Sequence, residues 1–392
     1  MAQSVDVIVL GGGIVGASTA YALVKQGYSV RLVDQYEAGH KRGSSHGDGR
    51  VVRFNYTEAI YVEMAMQAYQ AWDTLSTAAD EKLLHTTGLI EYAPVGDEAI
   101  TVTERILKQY DIAYERLSTQ VANERFPQYN FDKEGDILFQ PGGAVACATP
   151  AVKALWRLFI EAGGIAQTNT RIKAMDVQAE QITLTTESGE ILQSAQLVLA
   201  AGGWTKQFAA QLGLDLPLDV TQEILAYFPP KSDVVNHHVG TMPVMLDHFK
   251  IPDTDAQFYS LPMIDVQGVK MGWHHSGVDM NPDDERRIVP EIVSELQAWV
   301  DRRYPYLQNE PMQIDTCLYT NTPDYHFILD KHPQYDNVTI GAGFSGHGFK
   351  FGPLLGELLA SLVTQQTPSI SLDTFALARF SNPEKLDKRI GA

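Results

Sequence analysis

Residues Val7 to Gly16, reading VIVLGGGIVG, restrict this chain to a small set of folds. Val7, Ile8, Val9 and Leu10 are apolar without alternation, as in a strand of a parallel sheet covered by helices on both faces. The run breaks into Gly11-x-Gly13-x-x-Gly16, continues with helical spacing from Ile14 to Lys25, and reaches a second apolar strand, Val30 to Val33, ending at Asp34. That order is a βαβ unit. Gly11 permits the tight turn, Gly13 lets backbone approach a pyrophosphate, and Gly16 allows the helix to pack closely, with the helix N-terminus attracting phosphate. Asp34, 18 residues after Gly16, stands where an acid accepts hydrogen bonds from a ribose. The unit predicts a bound dinucleotide and leaves FAD and NAD both open.

The same texture returns twice. Thr149-Pro150 reads as a helix start, a capping hydroxyl followed by proline, with Val152, Leu155, Leu158 and Phe159 running to Gly163-Gly164. A strand leads into Leu197-Val-Leu-Ala-Ala-Gly-Gly-Trp204, another into Val338 to Gly343, and a helix is predicted from Pro353. Three α/β segments separated by mixed material predict an α/β fold in which a discontinuous nucleotide domain (1–85, 146–221 and 319–392) carries insertions (86–145 and 222–318) that form a substrate domain. Strands are predicted in the insertions at Gln257 to Leu261 and Gly268 to His274.

With 392 residues the chain can bury a large core. Its formal net charge of −18, with no basic cluster to offset it, argues against nucleic acid and anionic membrane partners. An anionic small molecule would need local Arg and Lys in its pocket. Only Cys147 and Cys317 are present, too few for a disulfide scaffold, so a reducing compartment is expected. No signal peptide is read at the N-terminus, no apolar run approaches the roughly 20 residues of a membrane span, and the terminal Arg-Ile-Gly-Ala is not a peroxisomal tripeptide; cytoplasm is the expected location.

Four further segments carry a specific likeness: Gly43-Ser-Ser-His46-Gly-Asp-Gly-Arg50-Val-Val-Arg53, Lys270-Met-Gly-Trp-His274, Cys317-Leu-Tyr319, and Gly343-Phe-Ser-Gly-His-Gly-Phe-Lys350-Phe. Together, in this order, they resemble the monomeric sarcosine oxidase and N-methyltryptophan oxidase family. The resemblance implies a glutathione-reductase-type FAD-binding domain, an inserted substrate domain of α+β type containing an antiparallel sheet, and FAD joined through its 8α-methyl group to Cys317. It implies an amine oxidase with O2 as acceptor and no metal, acting as a monomer on a small secondary amino acid.

Residue by residue, the likeness implies that Arg53 and Lys350 hold the substrate carboxylate, one as a planar fork and one as a point charge. By spacing alone, Arg50 and Arg53 read as a solvated face of a glycine-rich loop. The resemblance instead sets His46 and Arg50 against the flavin ring, where a cation stabilises developing negative charge. Lys270, Gly272 and His274 share one strand face. Lys270 matches the residue that activates oxygen as a fixed cation, and His274 one beside the substrate amine. Tyr259 and Tyr319 match aromatics at the amine site, where ring faces favour a methylated cation. A glycine-rich turn containing Gly343 and Gly346 would aim backbone N–H groups at the flavin. The attacking sulfur of Cys317 is expected to need surroundings that lower its pKa, whereas Cys147 reads as core packing.

The chain departs from the family at Ser45 and Gly49, often histidine and threonine there, and between Val244 and Phe258, where the segment before Tyr259 is longer. The substrate is therefore open among sarcosine, N-methyltryptophan, pipecolate, proline analogues and thiazolidine carboxylates. The competing readings are a dehydrogenase with another acceptor, a nicotinamide enzyme and a dinucleotide-binding sensor; the last would not need Cys317, Lys270 and Lys350 together.

Overall fold

The computed structural model describes residues 4–249, 257–381 and 386. Strand β1 (Val5–Leu10), helix α1 (Ile14–Lys25) and strand β2 (Val30–Val33) form as the hydrophobic pattern requires. β1 pairs in parallel with β2 on one side and with Ile191–Leu199 on the other. Its side chains feed two cores: Val7 and Val9 enter one hydrophobic cluster, Ile8 and Leu10 another. All four are 4% exposed or less. Burial of each contributes about 1.5–3 kcal/mol, which explains why the strand lacks polar alternation.

β1 lies at the heart of an eight-stranded sheet, completed by Ile165–Gln167 beyond β2 and by the antiparallel run Ile172–Val177, Ile182–Thr186, Ile191–Leu199 on the other side. Val338–Ala342 joins Ile191–Leu199 in parallel. Helices Ala148–Glu161 and Gly352–Val363 pack against α1 in the first core. The predicted cap at Thr149 is not made: the helix begins at Ala148, after Cys147, and the Thr149 hydroxyl accepts the Gly47 N–H at 2.9 Å. The hydroxyl ties down the loop that carries His46 and Arg50 instead of the helix end.

A second, nine-stranded sheet is mainly antiparallel and includes Leu89–Ala93, Val244–Asp247, Gln257–Leu261, Val269–His274, Asp219–Phe228 and Gln313–Asn321. The likeness to amine oxidases implied such a sheet. Two of the expected boundaries, 221/222 and 318/319, fall inside the continuous strands Asp219–Phe228 and Gln313–Asn321, which belong wholly to this sheet. A short sheet formed by β3 (Gly49–Val52), Ala144–Cys147 and Leu84–Thr86 lies beside it. Of the longer segment between Val244 and Phe258, residues 250–256 lie outside the described residues.

Among the described residues, no helix is long and apolar enough to cross a membrane.

Candidate active site

Two cavities meet at the strand Gln313–Asn321. The first has about 1310 Å³ of empty space, open solvent at its mouth included, and runs from the C-terminal end of β1 past Asp34 to Cys317. Gly11 has φ +105°, and a Cβ there would collide with the Ala200 backbone, so the turn demands glycine. Gly13 caps α1 without a side chain of its own, and Ser45 Oγ, 3.1 Å away, accepts the Ile14 N–H. The departure at Ser45 thus has a local role. Gly16 packs beneath the turn against Gly11 and does not line the cavity. Asp34 accepts the N–H groups of Gly12 and Tyr36 at 2.7 and 2.8 Å; burial, partly offset by His40, pushes its pKa up. These features fit FAD: a helix N-terminus free of acidic side chains, a glycine turn, a buried acid at the strand end, and a cavity that continues well beyond them.

The second cavity, about 760 Å³ measured in the same way, is lined by Arg53, Tyr259, Lys270, His274 and Lys350. Arg50, Cys317, Tyr319, Gly346 and Phe349 line both. Segments scattered over three hundred positions of sequence therefore converge on a shared wall. Gly346 has φ +77°, and a Cβ there would run into the Tyr319 ring. Gly343 lies outside both linings, at a turn with φ +63°. The glycine loop is tied to the cysteine strand by Ser345 N–H donating to Thr320 O at 3.0 Å.

Arg50 and Arg53 are not on a solvated loop. Arg50 lies in β3 and donates to the carbonyls of Gly49, Ser44 and His46, with its guanidinium 5.6 Å from the Phe349 ring centre. Arg53 follows the strand, with its side chain 11% exposed and 3.1 Å from Glu91 Oε1. The cations of Arg53 and Lys350 lie 4.7 and 5.4 Å from the centre of the Tyr56 ring, so two positive charges converge on one aromatic. Lys270 and His274 share a face of Val269–His274, as the alternation required. Lys270 Nζ donates to Gly49 O at 2.7 Å, and His274 Nδ1 is 2.9 Å from Tyr319 Oη. Gly272 faces Tyr259 across the sheet and leaves room for its ring.

Burial moves three of these groups away from the charged form. Cys317 is buried, and burial pushes its thiol up to about 11; Glu223 adds to the rise, while Arg50, Lys270 and Arg286 oppose it. The surroundings thus favour the neutral thiol. Lys270 is driven well below its ordinary value, by burial first and then by Arg50, against the support of Cys317, Asp48 and Asp315. His46 lines neither cavity; burial, then Arg50 and Lys270, hold it down at about 3, so its ring is neutral. Its carbonyl, not its ring, engages Arg50, at 2.6 Å.

A family profile described as FAD dependent oxidoreductase matches residues 6–362. The chain belongs to the FAD dependent oxidoreductase family. It is 30% identical to the monomeric sarcosine oxidase of Bacillus sp. (strain B-0618), covering 99% of both chains, and 34% identical to the peroxisomal sarcosine oxidase of Mus musculus, covering 97% of both. N-methyl-L-tryptophan oxidase of Salmonella heidelberg (strain SL476) is 30% identical over 96% of this chain and 99% of its own. The fold is shared with an unusual amino acid oxidase essential for nikkomycin biosynthesis, with a TM-score of 0.85 and 21% identity over 96% of this chain and 98% of that one. FAD is accordingly the cofactor of this oxidoreductase, and the ambiguity left by the βαβ unit is removed.

The sequence reading missed two acids. Glu91, fully buried, would be raised by burial alone, but His248, Arg53 and Asn55 outweigh that and hold it below the usual carboxylate range. It lies in Leu89–Ala93, where every residue is buried. A lone carboxylate inside an apolar strand was its only signal. Glu223 gave a weaker one, as the last polar residue before the apolar run Ile224 to Phe228.

Proposed function

We propose that this oxidoreductase converts a secondary α-amino acid, N-methylated or cyclic, to its imine and passes the electrons to O2, releasing hydrogen peroxide. Sarcosine would give glycine and formaldehyde once the imine is hydrolysed. The observation that carries this reading is the convergence of Arg53 and Lys350 over Tyr56 in a cavity that shares a wall with the cofactor cavity. An α-carboxylate bound by both cations spans them with a fork and a point charge. Glu91 orients the Arg53 fork from behind. Tyr259, Tyr319 and His274 then face the amine, with the His274–Tyr319 contact fixing both rings. Bound FAD supplies the two-electron acceptor, and we assign its attachment to Cys317. Arg50, held by three carbonyls, presents a permanent charge at the shared wall, and His46 positions it through its own carbonyl. Lys270, beside Gly49, serves the oxygen step. In the same reading the eight-stranded sheet forms the nucleotide half of a cytoplasmic monomer and the nine-stranded sheet its substrate half.

Two measurements test this proposal. Acid precipitation of the purified protein should leave yellow colour in the pellet, and Cys317→Ala should release it to the supernatant. A panel of sarcosine, N-methyltryptophan, pipecolate, proline analogues and thiazolidine carboxylates, followed by peroxide formation and oxygen uptake, should then identify a substrate. Turnover with an artificial dye but without oxygen uptake would turn the reading to a dehydrogenase, and no turnover of any secondary amino acid would sink it.

A further inference from the structure

The proposed reaction makes no use of Glu223. This residue pairs directly with Cys317 across the antiparallel strands Asp219–Phe228 and Gln313–Asn321. Directly opposed residues project to the same face with Cβ atoms about 4.5–5.5 Å apart. Leu225, two residues on, lines the substrate cavity, while Ile224 and Ala226 turn into the opposite core. The Glu223 side chain therefore stands on the cavity side of the sheet, beside the thiol.

Its surroundings are built for an acid yet leave it incompletely paired. The residue is 2% exposed. Thr221 Oγ1 donates to Oε1 at 2.7 Å, and Gly277 abuts the same oxygen so closely that a Cβ would collide with it. Oε2 has no hydrogen-bond partner among the described residues. The N–H groups of Gly277 and Ser276 approach and favour the charged form, but burial outweighs them and Thr221, lifting the pKa to about 7. The other titratable groups that sense this carboxyl are Tyr259 and Tyr319, and Arg50, Lys270 and Arg286 act on the same thiol. A buried carboxyl with an orphaned oxygen is destabilising, and a purely packing role would avoid this with an apolar side chain.

We infer that Glu223 accepts the thiol proton of Cys317 when FAD is joined to the chain, an inference that rests on the cysteinyl attachment proposed above. The S–H bond breaks and its proton moves to the carboxylate. Sulfur forms a bond to the 8-methyl carbon of the cofactor, which gives up one proton to water. The electron pair left over reduces the ring by two electrons, and O2 then takes that pair with two protons to give H2O2. The sum is thiol plus methyl plus O2 giving thioether plus H2O2. Glu223 suits the task because a general base works best with a pKa near the ambient pH, and the neutral thiol favoured at this site needs one.

The test is the rate at which flavin becomes acid-precipitable after full-length protein from riboflavin-starved cells is mixed with FAD in air, at several pH values from 6 to 9. The wild-type rate should climb through neutral pH. Glu223→Gln should be slower by about 10²-fold, at the lower end of the contribution of a general base, with that pH dependence lost. Its reversible FAD affinity, read by fluorescence quenching, should match that of Cys317→Ala. Attachment in Glu223→Gln at the wild-type rate, or faster, would overturn the inference. Should the Gln variant not bind FAD, Glu223→Asp decides: slower attachment with the pH dependence kept is expected, and a wild-type rate without pH dependence refutes. Wild-type protein that never retains flavin in acid removes the attachment itself, a different failure from normal attachment in the variants.

Discussion

Glu223 should also leave a mark on stability, with a sign fixed by its burial. Its pKa rises from an ordinary 4.5 to about 7 in the folded chain, so the folded state holds the proton more tightly than the unfolded one. The stability this confers is complete below pH 4.5 and is lost as pH rises through 7. About 2.5 pKa units at roughly 1.36 kcal/mol each make the swing about 3 kcal/mol. Glutamine is nearly isosteric, can still accept from Thr221, and never ionises. Glu223→Gln should therefore match the parent near pH 5 and gain about 3 kcal/mol on it by pH 8. An unfolding entropy of about 2.1 cal/mol/K per residue over this chain gives roughly 0.8 kcal/mol/K, so the gain appears as about 4 °C in Tm. Both proteins should carry Cys317→Ala so that flavin attachment does not enter, and should be melted side by side across the pH range. A difference in Tm that stays constant from pH 5 to pH 8 would refute the reasoning.

Other outcomes follow from the remaining charges. Lys270→Met should slow reoxidation of the reduced enzyme by oxygen by about 10²–10³-fold while anaerobic reduction by substrate changes only slightly; stopped-flow separation of the half-reactions checks this. Arg53→Gln and Lys350→Met each remove a charge-assisted bond worth about 1.5–3 kcal/mol, so kcat/KM for a carboxylate substrate should fall about ten- to a hundredfold, and much less for a substrate lacking the carboxylate. Glu91→Gln breaks a buried ion pair with Arg53 and should cost about 3–5 kcal/mol near neutral pH. That cost should shrink as pH falls below the ordinary carboxylate range, because Glu91 in the unfolded chain takes up its proton there first, while native Glu91, held low by His248 and Arg53, resists it. Urea denaturation at pH 7 and pH 4 would show it.

The parts of this molecule that could be read from sequence are those with local causes. β1, α1 and β2 are written in their hydrophobic periods, and Gln257–Leu261 and Val269–His274 in their alternation. Gly11 and Gly346 announced backbone conformations that other residues avoid. What sequence could not supply was partnership. Thr149 looks like a helix cap because nothing local reveals that Gly47, about a hundred positions earlier, claims its hydroxyl. Arg53 looks like a surface residue until Glu91 is brought to it across the fold. Burial is equally nonlocal, and so the direction in which it moves Cys317, Lys270 and His46 was not legible even where their positions were anticipated.

Those shifts fit together. Burial favours the neutral form of both Cys317 and Lys270, and the Arg50 guanidinium acts on both. Arg50 opposes protonation of Lys270 and favours ionisation of Cys317, which makes the two neutral groups unequal: the thiol is drawn towards giving up a proton and the amine is discouraged from taking one. A separate acceptor for the thiol proton is therefore needed, and Glu223 is the adjacent acid. Consumption of Cys317 in a thioether would remove its coulombic support for a protonated Lys270. Asp48 and Asp315 would go on supporting it against burial and Arg50.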